Sequence, residues 1–575
     1  MSLRGSVILI GLFFLGVQAF LLPPGGWVTG DQGSKYLQTR AFAAQGPLNP
    51  GIEVLARDID PEYRHQEPKL KNRRGRLVSE FLWLLPLVTA PFYLVFGMRG
   101  LYVVPALSVI AIFLAAAALG RRLGDDHGLR TGWTVLLVTP MVVYGLEFWE
   151  HAPAVACVMG AAVLAFPGEA GFRMKASMRL VLAGAAIGAG ALFREEVVVA
   201  LPALVLARAV AFPGDWLKTT AAAGVWMTAG AGIVFTAAVP MNLLIYGAAL
   251  PMHMTQDVWE VAKKAPYMQV RRELIVELLL PASHAAAFVV AALAGLGASL
   301  TQAWRQRTRA GPHDDRASRA LLVIVHLSAL VILIIAVALP LWHMAMGVRT
   351  HDAYRVTSAA HTWPFALALF YWPWFVTDTS RPAARFLIVS GLLLVAGTFI
   401  VAPTVGGSQW SPRFFLAAAP LLAVVAAAAA RSSVAATLRP IASVILLASM
   451  VMQVTGVGWV QRSKFRYARL TAWVASRTAP GDVLISDVFW FPEVTATLAP
   501  TRRMLFSWSA TEVPPMAASA AALGVRGFRV ITSPQLTGYT APPAFDLPGA
   551  PCRYTRGQPI AYGELLINEY VCEAP

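Results

Sequence analysis

The sequence predicts a polytopic α-helical membrane protein of about thirteen transmembrane helices, ending in a small soluble α/β domain. Three observations carry that prediction. Hydrophobic residues make up 57% of the 575 positions and charged residues only 14%. The apolar residues fall in long runs such as "LYVVPALSVIAIFLAAAALG", apolar on every helical face, where a soluble chain would alternate at helical or strand period. The connections between runs are short and basic, and the composition changes after Trp459, at "QRSKFRYARL". A formal charge of +16 would suggest nucleic acid in a soluble protein. Here much of it lies between apolar spans, where Lys and Arg set orientation and meet anionic lipid, so the partner is the bilayer and not nucleic acid.

The first run, "SVILIGLFFLGVQAFLL" after "MSLRG", has the short basic start and compact apolar core of a signal peptide. No small-x-small cleavage site follows it, only "LLPPGGW", so it reads as a retained helix. Runs of crossing length, about 17 to 25 residues, occur at about 6–22, 101–119, 132–148, 151–167, 179–193, 196–212, 220–240, 280–300, 320–341, 362–377, 386–404, 413–430 and 440–459. With the N-terminus inside, "GRRLGDDHGLR", "GFRMKASMR", "RQRTRAGPHDDRASR", "SRPAAR" and "RSSVAATLR" all fall on the cytoplasmic side, as the positive-inside rule requires. An odd number of spans then places everything after Trp459 outside.

One apolar stretch is left over, "FLWLLPLVTAPFYLVFG" at 81–97. Counted as a crossing it would invert every later connection, so it is assigned to a membrane-surface or re-entrant helix interrupted by Pro86 and Pro91. An ordinary transmembrane helix is the alternative. The first external loop, 23–100, is therefore long. It carries Lys35, Arg40, Arg57, Arg64, Lys69, Lys71, Arg73, Arg74 and Arg76. These form either an anion-binding surface beside the membrane or an incidental excess, since long loops obey the charge rule weakly.

Two domains follow: a transmembrane domain, 1–459, and a soluble extracytoplasmic domain, 460–575. In the latter, "YARLTAWVASRTAP" has helical period and a proline stop. "DVLISDV" and "RRMLFSWS" read as strands, and "MAASAAALGVRGFRVITS" as helix, glycine turn and strand. Neither G-x-G-x-x-G nor a P-loop occurs in it, so nucleotide binding has no support. Cys157 lies in an apolar span. Cys552 and Cys572 lie in the polar C-terminal region, where an oxidising compartment would bridge them; two separate thiols is the other reading.

Candidate chemistry begins at "GDQGSKYLQTRAFAAQG", 30–46. Asp31 precedes a run of good helix formers that stops at Gly46 and Pro47, so the plain reading is an N-cap and a glycine stop on an interfacial helix. Such a helix also points its N-terminal amides and Asp31 at the membrane surface, with Lys35 and Tyr36 one turn on and Arg40 beyond. A carboxylate beside cations is the arrangement needed to deprotonate a hydroxyl near a phosphate.

A first helix, then a long external loop that opens on an acidic residue and a tyrosine- and alanine-rich helix, resembles the GT-C glycosyltransferases, membrane enzymes that take sugars from polyprenyl-phosphate carriers. Protein mannosyltransferases and the lipid A aminoarabinose transferase share this layout of many spans, an embedded loop helix and often an external C-terminal domain. "LGRRLG" at 119–124, "ALFREEVVVALPALVLA" at 191–207, "NLLIYGAALP" at 242–251 and "GGSQWSPRFFLAAAPLL" at 406–422 are similar to connections in such enzymes.

The resemblance implies an inverting transferase of a bacterial cytoplasmic (inner) membrane, with Asp31 as general base and a polyprenyl-phosphate-linked sugar as donor. The acceptor would be a glycan, lipid or protein hydroxyl. A phosphate departing in low dielectric needs a cation. Lys35, Arg40, Arg194 and Arg413 are the candidates; Arg194 and Arg413 have the alternative of snorkelling from helix ends.

Glu147, Glu150 and His151, in "GLEFWEHAPA", form a second acidic site, and Glu147 and His151 at i and i+4 could share a divalent cation. A hydrogen-bonded pair is the plainer reading. In "RDIDPEYRH", Asp58, Asp60 and His65 are candidates for sugar hydroxyls, or a solvated turn. Asp257, His351 and Asp352 fit no pattern. Two other classes compete. A transporter or lipid flippase would show inverted repeats and mid-span charges, and an O-antigen ligase or polymerase-like enzyme would carry its large loop late in the chain.

Overall fold

The computed structural model describes all residues except 1, 168–173, 213–215, 252–265, 282–283, 309–314, 347–357, 376–380, 403, 405, 407–408, 432–438, 548–551 and 574–575. Asp257, His351, Asp352 and parts of the basic connections after residue 167 lie outside the described residues. Among those described, eight helices are long and apolar enough to cross a membrane: Leu3–Leu21, Leu84–Arg121, Ala176–Phe193, Leu217–Tyr246, Ala285–Gln306, Arg316–Trp342, Arg381–Val401 and Pro440–Ala475. Three shorter apolar helices, Leu129–Val138, His151–Ala165 and Ala418–Ala430, accompany them.

Several of the thirteen predicted spans are broken by local chemistry. Pro140 divides the run 132–148 into Leu129–Val138 and Met141–Gly145, because proline has no amide to continue the ladder. The run 196–212 opens in a 3-10 turn, Glu195–Val199, and 362–377 is largely 3-10, Pro364–Tyr371. The stretch 81–97 forms the helix Leu84–Phe96, separated from Val103–Arg121 by the 3-10 segment Gly97–Tyr102. At 1.5 Å per residue its 13 residues reach about 20 Å, less than the roughly 30 Å of a hydrocarbon core, so it cannot cross unaided.

The described chain divides into two compact units: residues 1–14, 105–237 and 257–459, and residues 15–104, 238–256 and 460–575. The first is helical. Ala176–Phe193 packs on His151–Ala165, and Arg381–Val401 on Ala200–Ala211. Small residues set the closest approaches. A Cβ on Gly184 would lie 1.8 Å from the Met227 carbonyl oxygen, and one on Gly230 1.9 Å from that of Val181. In lipid, where apolar burial drives little association, such backbone contact is what holds helices together.

The second unit joins the first loop to the C-terminal segment. In the loop, β1 (Leu70–Arg73) and β2 (Arg76–Ser79) form an antiparallel hairpin. The C-terminal segment contributes β3 (Val483–Ser486), β4 (Arg503–Phe506), β5 (Gly527–Thr532), β6 (Ala544–Phe545), β7 (Arg553–Arg556), β8 (Ile560–Tyr562) and β9 (Leu565–Glu573). The sheet order is β4-β3-β5-β9-β7-β6, with β8 on β9. β3, β4 and β5 are parallel and β9 is antiparallel to β5.

One face of this sheet is covered by the helix Val513–Ala522 and by Ala56 and Ile59 of the loop, around Ile485, Leu505, Phe528, Val530 and Tyr570. The backbone of Phe506 also bonds to the His65 carbonyl, 2.7 Å. Cys552 and Cys572 are disulfide-bonded and pack on the same core.

Candidate active site

The helix Asp31–Gln45 forms where its residues predict, and stops at Gly46, whose φ of +79° is open to glycine and whose amide bonds to Phe42. The cap lies one residue earlier than the sequence suggests. Gly30 is the N-cap and Asp31 sits in the first turn, where a carboxylate complements the helix dipole. The Gln32 side chain supplies the reciprocal bonds, accepting from the amides of Val28 and Thr29.

Sterics explain why the cap is glycine. A Cβ at Gly30 would lie 1.5 Å from the Glu493 carboxylate, and one at Gly33 1.9 Å from the Glu493 carbonyl. The start of the helix therefore rests directly on the C-terminal segment. Its far side is fixed by Gln38, which donates to the Pro50 carbonyl at 2.7 Å and accepts from the Ser79 amide at 3.0 Å.

Around this helix start the fold gathers four acids and three lysines: Asp31, Glu67, Glu80 and Glu493 with Lys35, Lys69 and Lys71. Glu67, Glu80 and Glu493 are buried. Glu80 pairs with Lys69 at 2.8 Å and Lys71 at 3.6 Å. Glu67 accepts from the Ser34 hydroxyl and the Lys69 amide, while its second oxygen and Oε1 of Glu493 are buried without hydrogen-bond partners.

The electrostatics follow. Burial pushes the Glu67 carboxyl up to about 8 and the Glu493 carboxyl up to about 9, and the neighbouring acids add to the rise in each. Against its own burial, Lys69 is held above the ordinary lysine range by Glu80, with Asp31 and Glu493 adding to the effect. At neutral pH two of the four acids therefore keep their protons. Lys35 is buried with its ammonium 4.3 Å from the Phe81 ring centroid. Tyr36 is buried between Trp27 and Tyr93, and burial holds its hydroxyl above the ordinary tyrosine range while half-buried Arg40 pulls it down.

Asp58 and Asp60 have other partners. Asp58 pairs with Arg503 of β4 at 2.7 Å. Asp60 accepts from the amides of Arg64 and His65 and from the Gln66 side chain, each at 2.8 Å. Both organise the loop on which Glu67 and Lys69 stand. Glu67, Glu80 and Glu493 carry no local signal in the sequence, since each gains its meaning from a partner distant in the chain; Lys69 was visible only as one of many loop cations.

In the helical unit, Glu150 enters a buried network with Arg194 and Glu196 that the sequence did not predict, while Glu147 lies in the turn before the helix His151–Ala165, so it and His151 do not share a helical face. Arg194 pairs with Glu150 at 3.0 Å and with Glu196 at 2.7 Å. Arg194 and Arg413 each lie 5.4 Å from the Phe414 ring centroid, so two residues 219 positions apart meet on one aromatic side chain. His151 stacks obliquely with Tyr144 at 5.0 Å and Trp149 at 5.4 Å, and the Tyr144 hydroxyl donates to the Trp410 carbonyl at 2.6 Å. Glu147 is fully buried. Among the described residues no group of three or more His, Cys, Asp or Glu is arranged to hold a metal ion. The same unit contains an apolar cavity of about 180 Å³ lined by Leu279, Phe288, Ile332, Ala336, Trp363 and Phe370.

The sequence matches no known protein family, and no curated protein matches it. Similar folds occur among solved structures. ArnT from Cupriavidus metallidurans bound to undecaprenyl phosphate is 14% identical, with 99% of this chain and 98% of that one covered and a TM-score of 0.46. ArnT from the same organism in the apo state gives 14%, 98% of each chain and 0.48. The apo oligosaccharyltransferase of Archaeoglobus fulgidus gives 11%, 93% and 70% coverage and 0.45. At these identities and TM-scores the likeness carries no argument, and the functional reading rests on the residues.

Proposed function

We propose that this chain is a membrane glycosyltransferase that moves a sugar from a polyprenyl-phosphate donor to an acceptor hydroxyl at the outer face of the cytoplasmic membrane, where its disulfide-bearing C-terminal domain also lies. The acceptor oxygen attacks the anomeric carbon as the bond from that carbon to the phosphate oxygen breaks. Polyprenyl phosphate leaves, the configuration inverts, and the acceptor's proton passes to Asp31. Lys35 and Arg40, on the same helix as Asp31, are the candidate partners of the departing phosphate.

The observation that carries this reading is the acid and lysine cluster at the start of the helix Asp31–Gln45. Buried titratable groups with shifted proton affinities gather where chemistry is done more often than where only packing is needed. Two of the acids, Glu67 and Glu493, hold protons at neutral pH, which limits the repulsion that the three neighbouring carboxylates would otherwise bring to Asp31.

The test is complementation of a deletion strain, read by mass spectrometry of lipid-linked sugars and envelope glycans. Wild type is expected to restore a missing glycan. Asp31→Asn, which keeps the shape of the side chain and removes its charge, should accumulate in the membrane at normal level and leave the donor unconsumed. Restoration of the glycan by Asp31→Asn would place the base elsewhere.

A further inference from the structure

The C-terminal domain has a polar site of its own at the opposite concern from catalysis: recognition. β3, β4 and β5 are parallel, in the order β4-β3-β5. From β3 the chain proceeds to β4 on one side, and from β5 it proceeds to β6 at the other end of the sheet. The segments following β3 and β5 therefore diverge, which opens a crevice at the carboxyl ends of two adjacent strands, the place where open α/β sheets bind ligands.

The residues at that end are polar and incompletely bonded. Asp487 follows β3 directly and Ser533 follows β5 directly. Asp487 accepts from the Thr537 hydroxyl through Oδ2 and is also bonded by the Ser533 amide, while its Oδ1 has no hydrogen-bond partner. The Ser533 hydroxyl, on a fully buried residue, has none either. Buried polar atoms without partners are uncommon and costly. Burial holds the Asp487 carboxyl above its ordinary range, with only hydroxyl and amide donors pulling it down.

Two large aromatic side chains stand exposed past the carboxyl ends of β3 and of its neighbour β4. Phe489, three residues past β3, is 58% exposed, and Trp508, two past β4, is 69% exposed and edge-on to Phe506 at 4.8 Å. The Thr537 hydroxyl sits at the end of the short, largely exposed helix Pro534–Thr537, the part of the domain a ligand would displace.

The geometry points to a carbohydrate-binding site at the carboxyl ends of β3 and β5, in which Asp487 and Ser533 bond vicinal sugar hydroxyls and Trp508 and Phe489 cover the apolar face of the ring. The Thr537 contact is the intramolecular version of the bond a sugar hydroxyl makes. A carboxylate at the centre of the site disfavours phosphate and other anions. Carboxylate and hydroxyl oxygens without partners, beside exposed aromatic rings, fit a neutral polyhydroxyl compound. The site goes beyond the proposed transfer reaction and does not depend on it.

Isothermal titration of the full-length protein in detergent tests this, with chitotriose, maltotriose and mannotriose as probes and inorganic phosphate as the anionic comparison. At least one sugar is expected to bind saturably, and phosphate not to bind. Trp508→Ala, an exposed position whose loss leaves the core intact, and Asp487→Asn should each weaken binding at least tenfold with an unchanged unfolding temperature. The Asp31→Asn protein should bind as wild type does, so loss of transfer and loss of binding are separable. Binding by none of the three sugars, equal binding by wild type and both variants, or displacement of the sugar by phosphate would overturn the proposal.

Discussion

Glu493 brings a carboxyl from near the end of the chain against Gly30, at its beginning, and nothing in "FWFPEVTATL" announces that role. Asp31 was legible because it opens a run of helix formers that ends in glycine. Glu67, Glu80 and Glu493 were not, because a residue's burial and its charged neighbours come from pairings across the fold. The buried acids make a pH prediction. A carboxyl raised from 4.5 to about 9 keeps a proton that the unfolded chain has already released. Its contribution to stability is complete below about pH 4.5 and is lost as pH climbs to about 9. Glu67, raised from 4.5 to about 8, acts with the same sign. The groups facing Glu493 are Glu67, Asp31, Lys69 and Glu80. The unfolding temperature of the detergent-solubilised protein should therefore fall by several degrees (roughly the size of a 1–2 kcal/mol change) between pH 6.5 and 9. In Glu493→Gln the fall should be visibly shallower. An equal fall in both proteins would mean that Glu493 is ionised in the folded state.

At the scale of elements, the helix Asp31–Gln45 depends on a close approach that only glycine permits. Gly30→Ala should cost about 1–3 kcal/mol by overpacking, and much of that loss should be recovered in the Gly30→Ala, Glu493→Ala double variant, since the clash is between those two residues. Thermal unfolding of the four proteins of the cycle measures the recovery; strictly additive effects would rule out the contact. The disulfide of Cys552 with Cys572 spans 20 residues and ties β9 to the chain entering β7. Closing a loop of that length stabilises by about 3 kcal/mol, so Cys552→Ser with Cys572→Ser should make the C-terminal domain protease-sensitive at temperatures where the wild type resists. The strands from "DVLISDV", "RRMLFSWS" and "RGFRVITS" were legible from their β-branched runs and turn punctuation. The antiparallel β6–β9 were not, because "FDLPGAPCRYTRGQPIAYGELL" is short-runned and rich in turn residues, and its pairing is fixed by strands that follow, β7 and β8 on β9 and β6 on β7. The break within the run 132–148 was not legible for a related reason: hydropathy sees apolar residues and not the missing amide of Pro140.

At the scale of the molecule, continuous apolar runs made the membrane class legible, because a helix apolar on every face has no stable home in water. The joining of the first loop to the C-terminal domain was invisible, since Asp58 with Arg503, and Gly30 with Glu493, are contacts between residues more than four hundred positions apart. That joining gives the C-terminal domain a direct part in building the candidate site: without Glu493 and the segment it sits on, the start of the helix Asp31–Gln45 has no floor. The account as a whole is tested most directly in proteoliposomes supplied with synthetic polyprenyl-phosphate sugars and hydroxyl-bearing acceptors, by measuring release of polyprenyl phosphate. Wild type should release it with at least one sugar donor, and Asp31→Asn should release it at least a hundredfold more slowly, a loss typical of removing a general base. No release from any donor by wild type, or equal release by both proteins, would contradict the account.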